Sequence, residues 1–492
     1  MENNRSVNEG EIYRALCSIV GQLNVSSSSV VTITYGFDAS PTSPSEPGFV
    51  VLPHDVIQVK HILEVANRYR LPITPLSGGV NVGGTAIPTQ GGIVLDLKWM
   101  NKILEVNTDA AYVVIEPGVT YDELTAELAK RGFRCHIPTS PGGSTPVGNQ
   151  LMRPSGSLAN RHIDSIIGLE VVLPNGNIIR TGSGAFPFSG FFLRYGPFPD
   201  LTGLFCCAHG TLGVVTKASI RIYPVNEDIR LSIASFDSFS SSINFVKEVC
   251  RRNIAEHSII WNRHLYKTYE IKSSAGKQLE VPAVLYEDPR ESNPDVPYNV
   301  VTIHMSGFKE DMETHERVVG NIATQCSGRL LSKNECETLL LPAIRSWEKF
   351  YIQYHIPTMD QVKKYGLGRY VPWIVMGEPK DIIEIEKESI ESMNELGIRP
   401  ICYYSMPFDY GRAIFFRIFS YIDPREKETL NRVGKLYQDM YDSATRKYGA
   451  IPFRHRRDPR WLNRLGGYQL LLRSIKEIVD PNNIMNPGVG IF

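Results

Sequence analysis

The chain has 492 residues, which is too many for one ordinary hydrophobic core and predicts two or three domains. Its 52 basic and 52 acidic residues cancel, which excludes an overall field that would favour nucleic acid or an anionic membrane. The eight cysteines include no C-x-x-C pair, which removes the usual signature of a zinc ribbon, a redox dithiol or an iron–sulfur cluster. We expect no bound metal, and we expect the cysteines to pack as small apolar side chains.

The N-terminal residues MENNRSVNEGEIYRAL lack the basic-then-apolar pattern of a leader peptide. No run of about 18 apolar residues, the length that would span a membrane, occurs in the sequence. We therefore expect a soluble, cytoplasmic protein without a membrane span.

Short strands and amphipathic helices alternate in the first part of the chain. After a helix predicted over about 8–23, residues 48–79 read as strand, helix and strand, with Val59, Ile62 and Ala66 on one helical face. The further predicted elements, in chain order, are strands at 91–97 and 111–118, a helix over 121–132 ended by Gly132, a hairpin about Asn175–Gly176, and a strand within 209–224. This alternation is typical of small α/β units.

The pattern changes beyond Pro224, where glycine becomes rarer and longer helices are predicted. Helical periodicity over 239–253, 310–325 and 380–396 alternates with strands such as NVVTIHMSG and AIFFRIFSYI. A last helix, GYQLLLRSIKEIV, precedes DPNNIMNPGVGIF. We therefore place a domain boundary near residue 225.

The stretch PLSGGVNVGG (75–84) concentrates glycines after a predicted strand. Glycines in such a connection permit positive φ and leave backbone N–H groups uncovered, so they can surround an anion such as a diphosphate. The spacing matches neither the P-loop nor the Rossmann fingerprint. A tight turn that needs glycine only for its geometry is the alternative, and this stretch alone leaves both interpretations open.

Five segments occur in a fixed order: SGGVNVGG (77–84), NKILEVNTDAAYVVIEPGVTYDEL (101–124), PTSPGGSTPVGNQLMRPSGS (138–157), HGTLGVVTKASIRIYP (209–224) and DPNNIMNPG (480–488). Together they resemble the flavoprotein superfamily of vanillyl-alcohol oxidase and p-cresol methylhydroxylase. The resemblance implies an α+β fold, with a two-subdomain FAD-binding domain and an α+β cap domain that holds the substrate. On this basis residues 1–225 form the FAD-binding domain, 226–450 the cap, and 451–492 a segment that returns to the FAD-binding domain.

The resemblance also implies three loops that contact the cofactor. The residues concerned are Ser77, Gly78, Gly79, Val80, Asn81, Val82, Gly83 and Gly84 in the first loop, Pro141, Gly142, Gly143, Ser144, Val147, Gly148 and Asn149 in the second, and Gly210, Thr211, Gly213, Val214 and Val215 in the third.

Two departures from the family pattern concern covalent attachment of the flavin. Val80 stands where members with histidine-linked flavin carry His, and the attachment position in the cap strand falls on Arg412 or Ala413. We therefore expect non-covalent FAD. Tyr410 would provide a covalent link if the alignment shifts.

The substrate side departs from the phenol-oxidising members. Their tyrosine in the glycine loop is replaced by Val82, their late Tyr-Arg pair reads Phe453–Arg454, and their carboxylate falls near Thr139 or Ser140. Arg454 would suit a phenolate or a carboxylate.

Further catalytic candidates follow from chemistry. His455 is a candidate base because imidazole titrates near neutral pH. The candidates to hydrogen-bond or orient the substrate are Tyr403, Tyr404, Asp409, Tyr410 and Arg412. The alternatives are that FRHRR is a solvated basic run, and that Asp409 and Arg412 form a surface turn or ion pair. Arg417, on a strand face, reads as structural.

The resemblance implies an FAD-dependent oxidase or dehydrogenase that oxidises a C–OH or benzylic C–H bond of a small aromatic or phenolic substrate by hydride transfer. One alternative is a D-2-hydroxy acid dehydrogenase of the lactate or glycolate type, which YGFDASPTSPSEPGFVVLP (35–53) resembles. Another is a flavin-carrying electron-transfer subunit. The expected partners are a small-molecule substrate, a redox partner protein and further copies of the chain in a homo-oligomer.

Overall fold

The computed structural model describes residues 2–38, 42–80, 83–138, 140–154, 156, 164–270, 282–291, 296–339, 369–423, 425–453 and 462–490. The strands are β1 (Val25–Ser26), β2 (Phe49–Val51), β3 (Ile73–Leu76), β4 (Ile93–Asp96), β5 (Ile103–Asn107), β6 (Tyr112–Ile115), β7 (Phe133–Cys135), β8 (Ile166–Val172), β9 (Ile178–Arg180), β10 (Val214–Pro224), β11 (Asp228–Phe236), β12 (His257–Asn262), β13 (Asn299–Gly307), β14 (Gly328–Leu330), β15 (Arg369–Gly377), β16 (Cys402–Phe408), β17 (Ala413–Ile422) and β18 (Ile451–Pro452).

The helices are α1 (Glu2–Val20), α2 (Ser29–Thr32), α3 (Val56–Tyr69), α4 (Tyr121–Ala129), α5 (Pro146–Gln150), α6 (Leu201–Phe205), α7 (Phe239–Arg251), α8 (Arg263–Lys267), α9 (Lys309–Gln325), α10 (Lys333–Thr338), α11 (Pro379–Glu395), α12 (Lys427–Tyr448) and α13 (Gly467–Val479). The helical periodicity after residue 225 is confirmed by α7, α9 and α11. In the described parts of the chain, no helix combines the length and the apolar character needed to cross a bilayer.

The first sheet has the order β1–β2–β4–β3, in which β2, β4 and β3 run parallel. Its crossover helix, α3, begins because the Asp55 carboxylate accepts hydrogen bonds of 2.9 Å from the amides of Ile57 and Gln58. The apolar face of α3, which includes Val59 and Ile62, is completely buried against the sheet. Each such side chain contributes about 2 kcal/mol by leaving water. This packing fixes the end of β3, where the first glycine loop starts.

The second sheet has the order β5–β6–β10–β8–β9, and β7 also pairs with β10. Its pairings are antiparallel, and the β8–β9 hairpin turns at the predicted Asn175–Gly176 position. Thr120 and Glu123 form a capping box that starts α4.

The third sheet is antiparallel, with the order β14–β11–β13–β12–β16–β17–β15–β18. Side chains alternate between its two faces because successive residues of a strand point in opposite directions. Tyr403, Phe416 and Trp373 enter a core that also contains residues of α7, α9, α11 and α12. Phe415 and Phe419 belong to a second core, which extends into the second sheet. This core therefore joins one face of the third sheet to the N-terminal part of the chain.

A buried ion pair lies at the same junction. Arg134 on β7 donates to both oxygens of Glu256, the residue before β12, and both side chains are almost completely buried. The predicted domain boundary near 225 falls between β10, which ends at Pro224, and β11, which begins at Asp228. The boundary itself stays a prediction.

Candidate cofactor and substrate site

The first and second predicted cofactor loops are in direct contact. Ser77 follows β3, and its hydroxyl oxygen accepts a hydrogen bond of 2.8 Å from Thr145 Oγ1, at the start of α5. A Cβ atom on Gly148 would lie 2.4 Å from the Ser77 oxygen, and one on Gly78 would lie 3.0 Å from the Thr145 methyl group. These two glycines therefore permit the close approach of the loops.

The third loop joins the same assembly through the C-terminal segment. The side-chain amide of Asn486 donates to the carbonyl oxygens of Thr85, at 2.9 Å, and His209, at 2.7 Å. Gly210 leaves room for the Pro75 ring, since a Cβ atom there would lie 2.8 Å from Pro75 Cγ. One amide thus connects segments that are far apart in the sequence.

A buried lysine fixes the third loop to the C-terminal segment. The Lys476 ammonium donates to Thr211 O at 2.7 Å and to Met485 O at 3.0 Å, and it pairs with Asp480 at 2.5 Å. Burial of Lys476 lowers the pKa of its ammonium. The Asp480 carboxylate also accepts hydrogen bonds from the amides of Ile484 and Met485. These bonds fix the turn that follows α13.

Two glycines of the loops face open space. A Cβ atom on Gly79, whose φ is 69°, or on Gly143 would meet no described atom within 4 Å. Neither glycine is therefore required by contacts with the rest of the described chain. In the same predicted loop as Gly143, the Asn149 Nδ2 donates to Ser140 Oγ at 3.1 Å, while its buried Oδ1 has no partner among the described residues. Open backbone and an unused buried acceptor in these loops fit a large cofactor with N–H donors, such as FAD.

The other predicted cofactor residues have varied environments. Val147 and Val214 are buried in apolar cores, so their side chains support the loops from behind. The Ser144 hydroxyl donates to Pro141 O at 2.6 Å, and the Gly84 amide donates to the Asp38 carboxylate at 2.8 Å. The positions of the remainder are as follows: Gly142 lies against Asp122, Gly213 against Val171 and Val172, Val215 is half-buried, and Val80 is exposed, while Asn81 and Val82 lie outside the described residues.

An aromatic surface with one cation lies on the face of the third sheet that joins the second. The Arg417 guanidinium carbon is 5.0 Å from the centre of the Tyr404 ring and 5.3 Å from that of Phe415. Phe453 packs edge-on against Phe415 with ring centres 5.5 Å apart. Arg417, Tyr404 and Phe453 are half-buried. We call these four residues the aromatic face.

The structure places two of the predicted substrate residues at the surface. Tyr410 and Arg412 lie in the exposed turn between β16 and β17, where Arg412 pairs with Asp409 at 3.0 Å. This position favours the interpretation of Asp409 and Arg412 as a surface ion pair, which the sequence left open as an alternative to a role in substrate binding. Arg454 and His455 lie outside the described residues.

The sequence favours a structural role for Arg417, and the structure places this residue on the aromatic face with Phe415. The alternation in AIFFRIFSYI carried a usable signal, because residues 415, 417 and 419 point to the same side of a strand. What the sequence lacked was the pairing of Arg417 with Tyr404 on the neighbouring strand.

Comparison with known proteins identifies two matching families. Residues 47–182 match the FAD binding domain, and residues 416–489 match the C-terminal domain of FAD linked oxidases. Glycolate oxidase subunit GlcD of Bacillus subtilis is 26% identical over 97% of this chain and 96% of its own. The flavoprotein subunit of 4-cresol dehydrogenase (hydroxylating) of Pseudomonas putida is 23% identical over 98% of this chain and 96% of its own.

The fold is also that of a solved enzyme. The crystal structure of p-cresol methylhydroxylase with substrate bound superposes with a TM-score of 0.82 at 20% identity, covering 98% of this chain and 96% of that one. The predicted α+β fold and the predicted cofactor FAD are confirmed by these matches.

Proposed function

We propose that this chain, an FAD-dependent oxidoreductase, is a member of the FAD-linked oxidase family of vanillyl-alcohol oxidase and p-cresol methylhydroxylase and oxidises a small anionic aromatic substrate. The bond concerned is a C–OH or a benzylic C–H bond. When bound, FAD supplies the acceptor for the hydride that leaves this carbon. The residues of the chain must hold the substrate, exclude water and accept the hydroxyl proton.

The aromatic face carries this proposal. A flat anionic substrate would gain a ring contact with Tyr404 and a charge-assisted hydrogen bond from Arg417, while the completely buried Phe415 ring supports both side chains from behind. Arginine suits this role because its planar guanidinium can stack on rings while its N–H groups bind a phenolate or carboxylate. A half-buried position strengthens the charge interaction by removing part of the competing water.

Arg454 and His455 would extend the same site. Phe453, the residue before them, contacts Phe415, so the chain leaves the aromatic face directly into the segment that contains both residues. We assign Arg454 as a second group that binds the anion and His455 as the base that accepts the hydroxyl proton.

The cofactor-contacting role of the three loops belongs to the same proposal. The open backbone at Gly79 and Gly143 would face the cofactor, and Asn149 Oδ1 would accept a hydrogen bond from it. The flavin is bound without a covalent link, because Val80 offers no nucleophile at the position where the histidine-linked members carry His.

A second candidate function is the oxidation of a D-2-hydroxy acid. It is favoured by the alignment with glycolate oxidase subunit GlcD, which covers nearly the whole of both chains. In this case Arg417 would bind the carboxylate of the substrate. Such a small acid would leave most of the aromatic face without contacts, which is why the aromatic substrate is the first candidate. The relative from Pseudomonas putida is a flavoprotein subunit, which supports a redox partner protein as the electron acceptor.

An anaerobic screen tests the two candidates. The yellow holoprotein is mixed with phenolic alcohols, alkylphenols and both enantiomers of lactate, and bleaching of the flavin absorbance band is followed. We expect the phenolic compounds to bleach the flavin fastest. Faster bleaching by D-lactate would support the second candidate, and no bleaching by any compound would contradict the proposed chemistry.

A further inference from the structure

A cavity of about 480 Å³ lies on the outer face of the second sheet. Leu169 and Val171 of β8 point into the core that also contains Phe415 of the aromatic face. Glu170, between them, points to the opposite face because side chains alternate along a strand. Lys217 of β10 is the register partner of Glu170, so it lies on that same face. The cavity that both residues line is therefore across the sheet from the aromatic face.

Two cations share one buried carboxylate in this cavity. The Glu170 side chain, which is 3% exposed, pairs with Arg180 Nη2 at 3.0 Å and with Lys217 Nζ at 3.0 Å. The cations themselves stay accessible to a ligand, since 49% of the Arg180 side chain and 25% of the Lys217 side chain are exposed. A guanidinium and an ammonium together carry more N–H groups than the two oxygens of one carboxylate can accept. The lining therefore keeps a net positive charge and N–H groups that can bind an anion.

The walls beside the cations are largely apolar. They include Ile178, Phe186, Pro187 and Phe188, together with Val56 at the start of α3. The Phe188 ring is fully exposed, and its φ of 66° is in the left-handed region, which costs a residue other than glycine about 1–2 kcal/mol. A ligand ring packed against Phe188 would remove apolar surface from water and so help to offset this cost.

We propose that this cavity binds a small carboxylate with an aromatic body. Its volume falls within the roughly 300–1,000 Å³ that is typical of small-molecule sites. The ligand carboxylate accepts charge-assisted hydrogen bonds from Arg180 and Lys217, and the ligand ring packs against Phe186 and Phe188. The site uses no residue assigned above to substrate or cofactor binding, so it does not depend on the proposed function.

The charge balance favours a carboxylate over a phosphate. A carboxylate carries one negative charge, which matches the charge that Arg180 and Lys217 leave after pairing with Glu170. A phosphate monoester carries a charge of about −1.5 to −2 near pH 7. Its additional charge would be repelled by the Glu170 carboxylate.

Titration calorimetry of the FAD-loaded protein with phenylacetate tests the proposal. Wild type should bind with a Kd below about 1 mM. Lys217→Met should raise this Kd by about 10-fold or more, because one charge-assisted hydrogen bond is lost. Glu170→Gln should lower it by about 3-fold or more, because the competing negative charge is removed while the shape of the side chain is kept. The matched control Lys60→Met, which removes an exposed cation of α3, should keep the wild-type Kd.

The two variants should shift the Kd in opposite directions, which separates a binding role from a loss of folding, since misfolding would weaken binding in both. A photoreactive aromatic carboxylate, 4-benzoylbenzoate, locates the site. After irradiation and digestion with trypsin, the label should lie on the peptide TGSGAFPFSGFFLR (181–194), and phenylacetate should prevent the labelling.

Three outcomes would overturn the proposal. The first is no heat of binding at millimolar phenylacetate. The second is a Kd that neither Lys217→Met nor Glu170→Gln changes, with the label on the peptide that contains Tyr404, which would place the ligand at the aromatic face. The third is tighter binding of phenyl phosphate than of phenylacetate, which would contradict the assignment of a carboxylate.

Discussion

Arg134 and Glu256 form a two-point ion pair, with nitrogen–oxygen distances of 2.8 and 2.5 Å, between β7 of the second sheet and the start of β12 in the third. Both side chains are buried, so removal of one charge would leave the other buried without the opposite charge that it faces in this pair. The pair thus connects the part of the chain that matches the FAD binding domain to the sheet that carries the aromatic face.

Arg134→Met should lower the free energy of unfolding by about 3 kcal/mol, because Glu256 would remain buried and charged. Denaturant titration followed by tryptophan fluorescence measures this. Lys387→Met, which breaks an exposed pair with Glu384, is the matched control and should cost under about 1 kcal/mol. Arg134→Met combined with Glu256→Leu should recover most of the loss, and equal losses in the single and double variants would contradict this account.

Gly79→Asp should abolish FAD binding without unfolding the protein. The side chain would enter space that is free of described atoms, so the fold tolerates it, but its carboxylate would repel the cofactor diphosphate. Gly132→Asp is the matched control, because its φ of 71° and open surroundings resemble those of Gly79 while it lies at the exposed end of α4. Absorbance of the purified proteins gives the flavin content, and full occupancy in Gly79→Asp would show that the loop is only a turn.

The bound FAD should dissociate when the protein is denatured by acid. Val80 has no nucleophilic atom, so no covalent bond is expected at that position of the loop. Acid precipitation should leave the yellow colour in the supernatant. Flavin fluorescence that stays with the denatured polypeptide on a gel would instead indicate a link, and Tyr410→Phe would then show whether that tyrosine forms it.

The stability of the protein should depend on pH through Glu386 on α11. Burial raises the pKa of this carboxyl, which accepts a hydrogen bond of 2.8 Å from Tyr298, to about 7. An unfolded glutamate ionises near 4.3, so its contribution is fully present below that pH and is lost as the pH rises through about 7.

The resulting loss between about pH 5 and pH 8 should be roughly 2–3 kcal/mol, at about 1.4 kcal/mol for each pH unit. Glu386→Gln should remove this dependence in denaturant titrations at the two pH values. Glu384→Gln, on the exposed side of α11, should keep it. A wild-type protein whose stability is the same at both pH values would contradict the assignment.

The sequence predicted the local elements well and the distant contacts poorly. α13 begins and ends where the periodicity of GYQLLLRSIKEIV places it, because burial of one helical face repeats every 3.6 residues. The helix expected over 8–23 instead spans Glu2–Val20. No periodicity relates Arg134 to Glu256, which are 122 residues apart, or Asn486 to the His209 carbonyl.

In the candidate site, too, the sequence predicts local features better than contacts between distant parts of the chain. The glycine loops could be recognised because close approach and positive φ restrict the residue type at Gly148 and Gly79. Tyr403 and Tyr404 could not be separated from composition, although Tyr403 enters the helix-covered core and bonds Asn299, while Tyr404 lies on the aromatic face. Which of two neighbouring residues faces a site depends on strand register, and register is set by the partner strand.

The most direct test of substrate binding at the aromatic face is anaerobic stopped-flow measurement of flavin reduction in wild type, Arg417→Ala, Arg417→Lys and Arg412→Ala. Loss of a charge-assisted hydrogen bond to an anion costs about 2–4 kcal/mol. Arg417→Ala should therefore lower the second-order rate constant of reduction by roughly one to three orders of magnitude with FAD still bound, and Arg417→Lys should recover part of it. In Arg412→Ala, which changes a residue of the exposed turn, the substrate should reduce the flavin at the wild-type rate. Wild-type reduction by Arg417→Ala would contradict the account, because the substrate anion would then be bound elsewhere.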